Sequence, residues 1–136
     1  MTPILVDTGF LVALFRPKDR LAEAAARYLR DHRHPLATAG ATVVEACFFL
    51  DARGKADLLG WISRGGVAIA DVPVAAYPAI AHTLRTFADR DLDFVDAALV
   101  WLANETGARR ILTADRSDFD ALRLKGGRRF ELIDWF

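Results

Sequence analysis

The chain has 136 residues, the usual size of one domain with a core of its own. Its hydrophobic fraction of 53% is above the average for soluble domains, and its single cysteine, Cys47, excludes a fold held together by internal disulfides. The 18 basic and 18 acidic residues cancel, so the net charge does not indicate nucleic-acid binding, and such a site would need a local basic patch.

The apolar composition has two further implications. No apolar run reaches the length of a membrane-spanning helix, and the N-terminus lacks the basic region and cleavage site of a signal peptide. We therefore expect a cytoplasmic protein without a membrane segment. The apolar excess also suggests a surface kept for a protein partner, such as a second copy of the chain.

Short β-type runs alternate with helix-type runs along the chain. In chain order, the patterns predict a strand at 3–7, helices at 8–15 and 19–33, a strand at 35–39, helices at 40–53 and 55–64, a strand at 67–70, helices at 73–90 and 93–106, and strands at 110–113 and 129–133. Gly54, Gly65 and Gly107 are predicted to end three of these helices.

This alternation predicts an α/β domain with three layers. Strands separated by helices form a mainly parallel central sheet, which helices cover on both faces. No repeat, low-complexity segment or linker divides the chain. We therefore expect residues 1–136 to form a single domain.

Four acidic residues stand alone in apolar surroundings. Asp7 is the only charged residue in 1–15, Glu45 the only one in 35–50 and Asp96 the only one in FVDAALVWLA, while Asp115 soon follows an apolar run. The Asp-Thr-Gly at Asp7 also resembles the catalytic strand of aspartic proteases. Those enzymes consist almost wholly of strands, however, whereas most of this chain is helix-forming.

The predicted fold can bring these acids together. In a parallel sheet, the carboxyl ends of the strands and the N-termini of the adjoining helices share one edge. Asp7 and Asp115 are predicted just past strand ends, and Glu45 and Asp96 in the first turns of helices. Carboxylates in one cleft repel each other unless a cation joins them, and oxygen ligands without His or Cys favour Mg²⁺ or Mn²⁺. The residues thus predict a metal-dependent phosphodiesterase.

Most of these acids also have a purely structural interpretation. Asp7 is placed to cap the next helix, and Asp115 to form a turn. Asp93 and Asp96 have the spacing of a helix N-cap with an acid at the third position. Glu45 is the hardest to explain in this way, because a leucine would pack better there.

Three segments give the chain a family resemblance: ILVDTGFLVALF, TVVEACFFL and LDFVDAALVWLANETGARRILTADRSDF. The last is the most specific, because it joins an acid-bearing helix, a glycine stop, a strand and a Thr-x-Asp-Arg-x-Asp-Phe turn in fixed order. The chain resembles the PIN-domain ribonucleases, particularly the toxin subunits of VapBC-type toxin-antitoxin pairs. The resemblance implies a PIN-like fold and RNA cleavage with Mg²⁺, for which Mn²⁺ substitutes. It implies as metal ligands and catalytic residues Asp7, Glu45, Asp96 and Asp115.

The resemblance implies roles for nearby residues as well. Thr8 and Thr113 match hydroxyl positions that would orient carboxylates or bound water. Asp93 and Asp118 stand near metal-ligand positions; we interpret Asp93 first as a helix cap and leave Asp118 open between the two roles. Arg116 adjoins Asp115 and is the best candidate for contact with RNA, within a basic C-terminal segment that could instead dock an acidic antitoxin tail.

The expected partners are RNA, a small antitoxin protein and a second copy of the chain. Two alternatives remain open. The first is a PIN-like nuclease that acts outside a toxin-antitoxin pair, for example in RNA processing. The second is a PIN-like scaffold that binds protein or RNA without cutting.

Overall fold

The computed structural model describes residues 2–136, and within this range five strands form one parallel sheet. The strands are β1 (Ile4–Val6), β2 (Leu36–Ala39), β3 (Ala68–Ala70), β4 (Arg110–Leu112) and β5 (Glu131–Leu132). Their order is β3-β2-β1-β4-β5, and each neighbouring pair is parallel. The chain moves outward from β1 to β3 and then returns to the other side of β1. The carboxyl ends of β1 and β4 therefore flank the point where the order reverses, where open α/β sheets form a crevice.

Seven α-helices connect these strands within the same range. They are α1 (Thr8–Phe15), α2 (Ala22–Asp31), α3 (Gly40–Cys47), α4 (Ala52–Ser63), α5 (Tyr77–Thr86), α6 (Phe94–Thr106) and α7 (Arg116–Ala121). Short 3₁₀ turns lie at Val74–Ala76, Ala88–Arg90 and Lys125–Gly127. In residues 2–136 no helix has both the length and the apolar character that crossing a membrane requires.

The central strand β1 shows how the layers form. Successive side chains of a strand point to opposite faces of the sheet. Ile4 and Val6 pack in one buried cluster with Leu58 of α4 and residues of α1 and α2. Leu5 packs in another buried cluster with Leu99 of α6 and residues of α7. Helices therefore cover both faces of the sheet, which confirms the predicted three-layer α/β fold.

The prediction of one helix over 40–53 is wrong, because α3 ends at Cys47 and α4 begins at Ala52. Asp51 caps α4, and its carboxylate accepts a hydrogen bond of 2.8 Å from the Gly54 N–H. Gly54 consequently lies inside α4 and does not end a helix. A Cβ at Gly54 would stand 2.8 Å from the carbonyl oxygen of Phe15. Glycine thus lets α4 approach the end of α1 closely.

Three other segments differ from prediction. The segment after Asp115, predicted as a turn, forms the six-residue helix α7 and buries Phe119 completely. The predicted helix over 73–90 divides into a 3₁₀ turn, α5 and a second 3₁₀ turn, which ends where Asp91 adopts a left-handed backbone with φ of 52°. The helix predicted to start at residue 19 starts at Ala22, because the Asp19 carboxylate instead accepts a hydrogen bond of 2.9 Å from the Leu21 N–H.

Candidate functional site

A cleft of about 490 Å³ opens at the carboxyl edge of the sheet. Its wall contains the four acids that the sequence singles out, Asp7, Glu45, Asp96 and Asp115. Asp7 follows β1, Asp96 lies in the first turn of α6, and Asp115 precedes α7. Glu45 is in the second turn of α3, one turn later than predicted. The fold thus brings the four side chains into one cleft.

Asp7 is the most deeply buried of these acids, with 7% of its surface exposed. One carboxylate oxygen accepts a hydrogen bond of 2.8 Å from the Thr8 N–H at the start of α1. The other accepts one of 2.9 Å from the Thr113 hydroxyl. Burial raises the pKa of Asp7 from 3.8 to about 6, although both hydrogen bonds lower it; the charges of Glu45 and Asp93 raise it further. Asp7 is therefore fixed in position but costly to ionise.

Thr113 joins the two strand ends that border the cleft. Its hydroxyl donates to Asp7 and accepts a hydrogen bond of 2.9 Å from the Asp115 N–H. Its carbonyl accepts a hydrogen bond of 3.0 Å from the indole N–H of Trp135. Thr113 is only 1% exposed, so this geometry is protected from water. The structure thus places Thr113 where it orients two acids of the site.

Thr8 borders Glu45 on the other side of the cleft. Burial raises the pKa of Glu45, the nearby Thr8 hydroxyl lowers it, and Asp93 raises it further. The Thr8 hydroxyl is itself buried, and within residues 2–136 it has no partner at good hydrogen-bond geometry. A buried hydroxyl without a partner is unusual in native proteins. The Glu45 carboxylate is thus the acceptor beside this hydroxyl, and a small movement of either side chain would join them.

Asp93 and Asp96 form a reciprocal capping box at the start of α6. The Asp93 carboxylate accepts a hydrogen bond of 2.9 Å from the Asp96 N–H, and the Asp96 carboxylate accepts one of 3.2 Å from the Asp93 N–H. The interpretation of Asp93 as a helix cap is therefore confirmed. Burial and then the charges of Asp7 and Asp93 raise the pKa of Asp96 from 3.8 to about 8. The cap thus also holds Asp96 in the cleft, which Asp93 itself lines.

Asp115 and Asp118 have different surroundings. Asp115 caps α7, and its carboxylate accepts a hydrogen bond of 3.3 Å from the Asp118 N–H. Burial raises the pKa of Asp115, the Asp118 carboxyl adds to this shift, and the Arg90 charge opposes it. Asp118 is absent from the cleft wall and forms an ion pair of 3.2 Å with Arg90. This pair ties the segment before α6 to the start of α7.

The structure does not place Arg116 in the cleft wall. Its guanidinium forms an ion pair of 3.1 Å with Asp134 and lies 4.7 Å from the centre of the Phe136 ring. The basic side chains in the wall are Arg16 and Arg20, which the sequence analysis missed. Their signal was the RPKDR run directly after the first predicted helix.

The donor atoms of the cleft fit Mg²⁺ or Mn²⁺ in chemical type. Within residues 2–136, no group of three or more acidic, His or Cys side chains already converges in a geometry that could hold a metal ion. The cleft nevertheless presents only oxygen ligands, which these cations prefer. Mutual repulsion contributes to the raised pKa values of Asp7, Glu45 and Asp96, and a cation would relieve it. Binding would therefore need side-chain rotation, for which the long Glu45 is best suited.

Residues 4–124 match the PIN domain family, a range that includes all four acids. Ribonuclease VapC26 of Mycobacterium tuberculosis is 28% identical, over 96% of this chain and 99% of that protein. The solved structure of M. tuberculosis VapC20, a Sarcin-Ricin loop cleaving toxin, has a TM-score of 0.73 and 20% identity, over 79% of this chain and 86% of that one. A toxin-antitoxin complex from Klebsiella pneumoniae contains a chain with a TM-score of 0.61 and 18% identity, over 98% of both chains. The resemblance seen in the sequence is thus confirmed, and the chain belongs to the PIN domain family.

Proposed function

We propose that this protein is a metal-dependent endoribonuclease and the toxin of a type II toxin-antitoxin pair. The observation that carries the proposal is the single cleft lined by Asp7, Glu45, Asp96 and Asp115. The relatives support it, because one is a ribonuclease, one a toxin that cleaves the Sarcin-Ricin loop and one part of a toxin-antitoxin complex. Such a toxin acts on RNA in the cytoplasm.

In this proposal the four acids hold Mg²⁺, and Mn²⁺ substitutes for it. When bound, the cation would activate a water and stabilise the charge that develops on the phosphodiester; breaking the P–O3′ bond would then leave a 5′-phosphate and a 3′-hydroxyl. Thr113 orients Asp7 and Asp115, and the capping box with Asp93 orients Asp96. In this proposal neither Asp93, which caps α6, nor Asp118, which pairs with Arg90, is a ligand.

Three further residues of the wall, Thr8, Arg16 and Arg20, also have roles in this proposal. The Thr8 hydroxyl lies beside Glu45 and would orient its carboxylate or a bound water. Arg16 and Arg20 place positive charge in a wall that is otherwise acidic, as binding of RNA phosphates requires. They are better placed for this role than Arg116, whose guanidinium is engaged by Asp134.

RNA cleavage tests the proposal directly. Purified protein should cut single-stranded RNA with Mg²⁺ or Mn²⁺ and should stop when a chelator is added. Asp96→Asn should abolish cleavage, whereas Asp120→Asn, an exposed acid of α7 outside the cleft, should cleave like the wild type. Cleavage that survives both chelation and Asp96→Asn would overturn the proposal.

One observation favours a second candidate, a PIN-like scaffold that binds without cutting. Within residues 2–136, no three acidic, His or Cys side chains already converge in a geometry that could hold a metal ion. A scaffold has no need of metal, so its cleft should not bind Mn²⁺ even at millimolar concentration. The nuclease should bind it and cut RNA. Calorimetric titration with Mn²⁺ separates the two candidates.

The proposed protein partners are a small antitoxin and a second copy of the chain. Large apolar side chains are exposed on α3, on α4 and before α5, as a partner surface requires. They include Val44 at 60%, Leu59 at 53% and Val74 at 77% exposed. Sedimentation of the chain alone and with the product of a neighbouring antitoxin-like reading frame tests both partners. The absence of such a reading frame would favour a nuclease outside a toxin-antitoxin pair.

A further inference from the structure

Phe49 lies in the wall of the acidic cleft although 55% of its surface is exposed. It follows Glu45 by four residues, and the chain continues in helical turns beyond α3, since the Phe49 N–H donates to the Ala46 carbonyl at 3.0 Å. Both Glu45 and Phe49 belong to the cleft wall. Glu45 and Phe49 therefore both face the cleft. The neighbouring Phe48 is 80% exposed but is not part of the cleft wall.

A second groove, of about 430 Å³, continues from the cleft, because Arg16 and Phe49 belong to both walls. Lys18 adds another exposed cation to this groove. Its one acidic residue, Asp51, is occupied as the cap of α4 and accepts a hydrogen bond of 2.8 Å from the Gly54 N–H. An exposed aromatic ring thus stands between the carboxylates and a groove with two cations and one engaged acid.

We propose that Phe49 stacks against a base of single-stranded RNA next to the phosphodiester that is cut, while Arg16 and Lys18 bind phosphates of the strand leaving through the groove. Every base has a face that stacks on an aromatic ring, and cations follow the backbone, so this pairing of groups is typical of single-strand binding. The cations favour RNA over an apolar protein segment at this position. The inference rests on the proposed ribonuclease function and adds the substrate subsite.

Fluorescence anisotropy tests this subsite without requiring cleavage. The probes are labelled single-stranded oligo(A) and oligo(U) RNA and a matched RNA duplex. Binding of the 136-residue chain is measured in Ca²⁺, and the RNA is checked for integrity after each measurement. Phe49→Ala should weaken single-strand binding about tenfold or more, and Phe48→Ala should bind like the wild type. Phe49→Trp should restore binding, and its added indole fluorescence should be quenched by RNA. Arg16→Ala should weaken binding and lower its salt dependence, whereas Arg53→Ala, at the exposed start of α4, should not.

Several other results would contradict the proposed stacking subsite. Equal losses for Phe48→Ala and Phe49→Ala, unchanged RNA binding by Phe49→Ala, or a wild type that prefers the duplex or binds none of the probes would overturn the subsite. An effect of Phe49→Ala on binding of a protein partner alone would overturn it as well. If the wild type binds single strands through Phe49 but no metal supports cleavage, the ribonuclease proposal fails and the stacking subsite stands. Circular dichroism of each variant verifies that the fold is intact.

Discussion

The hydroxyl of Thr113 donates a hydrogen bond of 2.9 Å to the buried carboxylate of Asp7. This contact joins the ends of β1 and β4, the two strands that flank the reversal of the strand order. The same hydroxyl accepts a hydrogen bond from the Asp115 N–H. One side chain thus sets the positions of two acids that are far apart in sequence.

Replacing Thr113 with valine should remove both hydrogen bonds at nearly constant shape. We expect cleavage and Mn²⁺ affinity to fall about 10- to 100-fold, because the acids lose their orientation. Thr113→Ser should restore both. Thr38→Val is the matched control, since the Thr38 hydroxyl is equally buried but donates to the Val6 carbonyl and to none of the acids. If Thr38→Val lowers metal affinity as much, the effect of Thr113 is one of stability alone.

Asp7→Asn should abolish cleavage without unfolding the protein. The asparagine retains a side-chain oxygen for the Thr8 N–H and removes one repelling charge from the cleft. At pH 8 in chelator we therefore expect a free energy of unfolding equal to or above that of the wild type. Urea unfolding measures this difference. A variant that does not fold would show that Asp7 serves chiefly as the cap of α1.

The stability of the metal-free protein should depend on pH in a defined direction. The pKa of Asp7 is raised to about 6 and that of Asp96 to about 8, so the folded state binds more protons than the unfolded state above pH 4. Their contribution to stability is fully present below about pH 4 and is lost as the pH rises through 6 and then 8. For Asp7 alone the loss is on the order of 3 kcal/mol.

Urea unfolding in chelator at a series of pH values measures this loss. Asp7→Asn and Asp96→Asn should each flatten the profile, and Mn²⁺ should restore stability at pH 8. The control Asp120→Asn, at an exposed acid of α7 outside the cleft, should leave the dependence of stability on pH unchanged. A wild-type stability that rises between pH 5 and 8 would contradict the account.

The Asp118→Asn variant tests whether Asp118 is a metal ligand or only a supporting residue. The side chain pairs with Arg90 at a partly exposed site, so its loss should cost less than about 1 kcal/mol of stability and less than tenfold in cleavage. Asp115→Asn should reduce cleavage far more. Steady-state cleavage rates of the two variants, measured side by side, test this. Equal losses would assign Asp118 to the metal.

Gly54→Ala should destabilise the fold by about 1 to 3 kcal/mol, because its Cβ would meet the carbonyl oxygen of Phe15 at 2.8 Å. Gly60→Ala is a control in the same helix. There the nearest atom, at 3.1 Å, is the end of the flexible Arg64 side chain, and alanine favours the helix. In thermal unfolding, the midpoint temperature of Gly54→Ala should therefore be lower than that of the wild type, and that of Gly60→Ala should be equal or higher.

The sequence reveals the acids of the site better than it reveals the rest of the wall. Asp7, Glu45 and Asp96 are conspicuous because a lone charge in an apolar run needs a reason, and the alternation of strands and helices places them at one edge. Arg16 is marked only by the RPKDR run after the first predicted helix, and Phe49 is one more apolar residue in an apolar run. Both residues lie just beyond the ends of α1 and α3, so their place in the wall depends on where these helices end.

Two of the predicted helix boundaries are wrong for different reasons. A helix of six residues, such as α7, is too short to show a helical period. Glycine commonly ends a helix, which is why the sequence predicts an end at Gly54, whereas the structure places Gly54 against the Phe15 carbonyl. The sequence does not reveal this close approach, because it is a contact between two separate helices.

Calorimetric titration of Mn²⁺ into wild type and Asp96→Asn tests the central claim, that the cleft acids hold a catalytic cation. Both proteins should be titrated at the same pH, with their folds verified by circular dichroism. The account predicts that the wild type binds Mn²⁺ and that Asp96→Asn binds it at least tenfold more weakly. Equal binding by the two proteins, or no binding by the wild type at millimolar Mn²⁺, would contradict it.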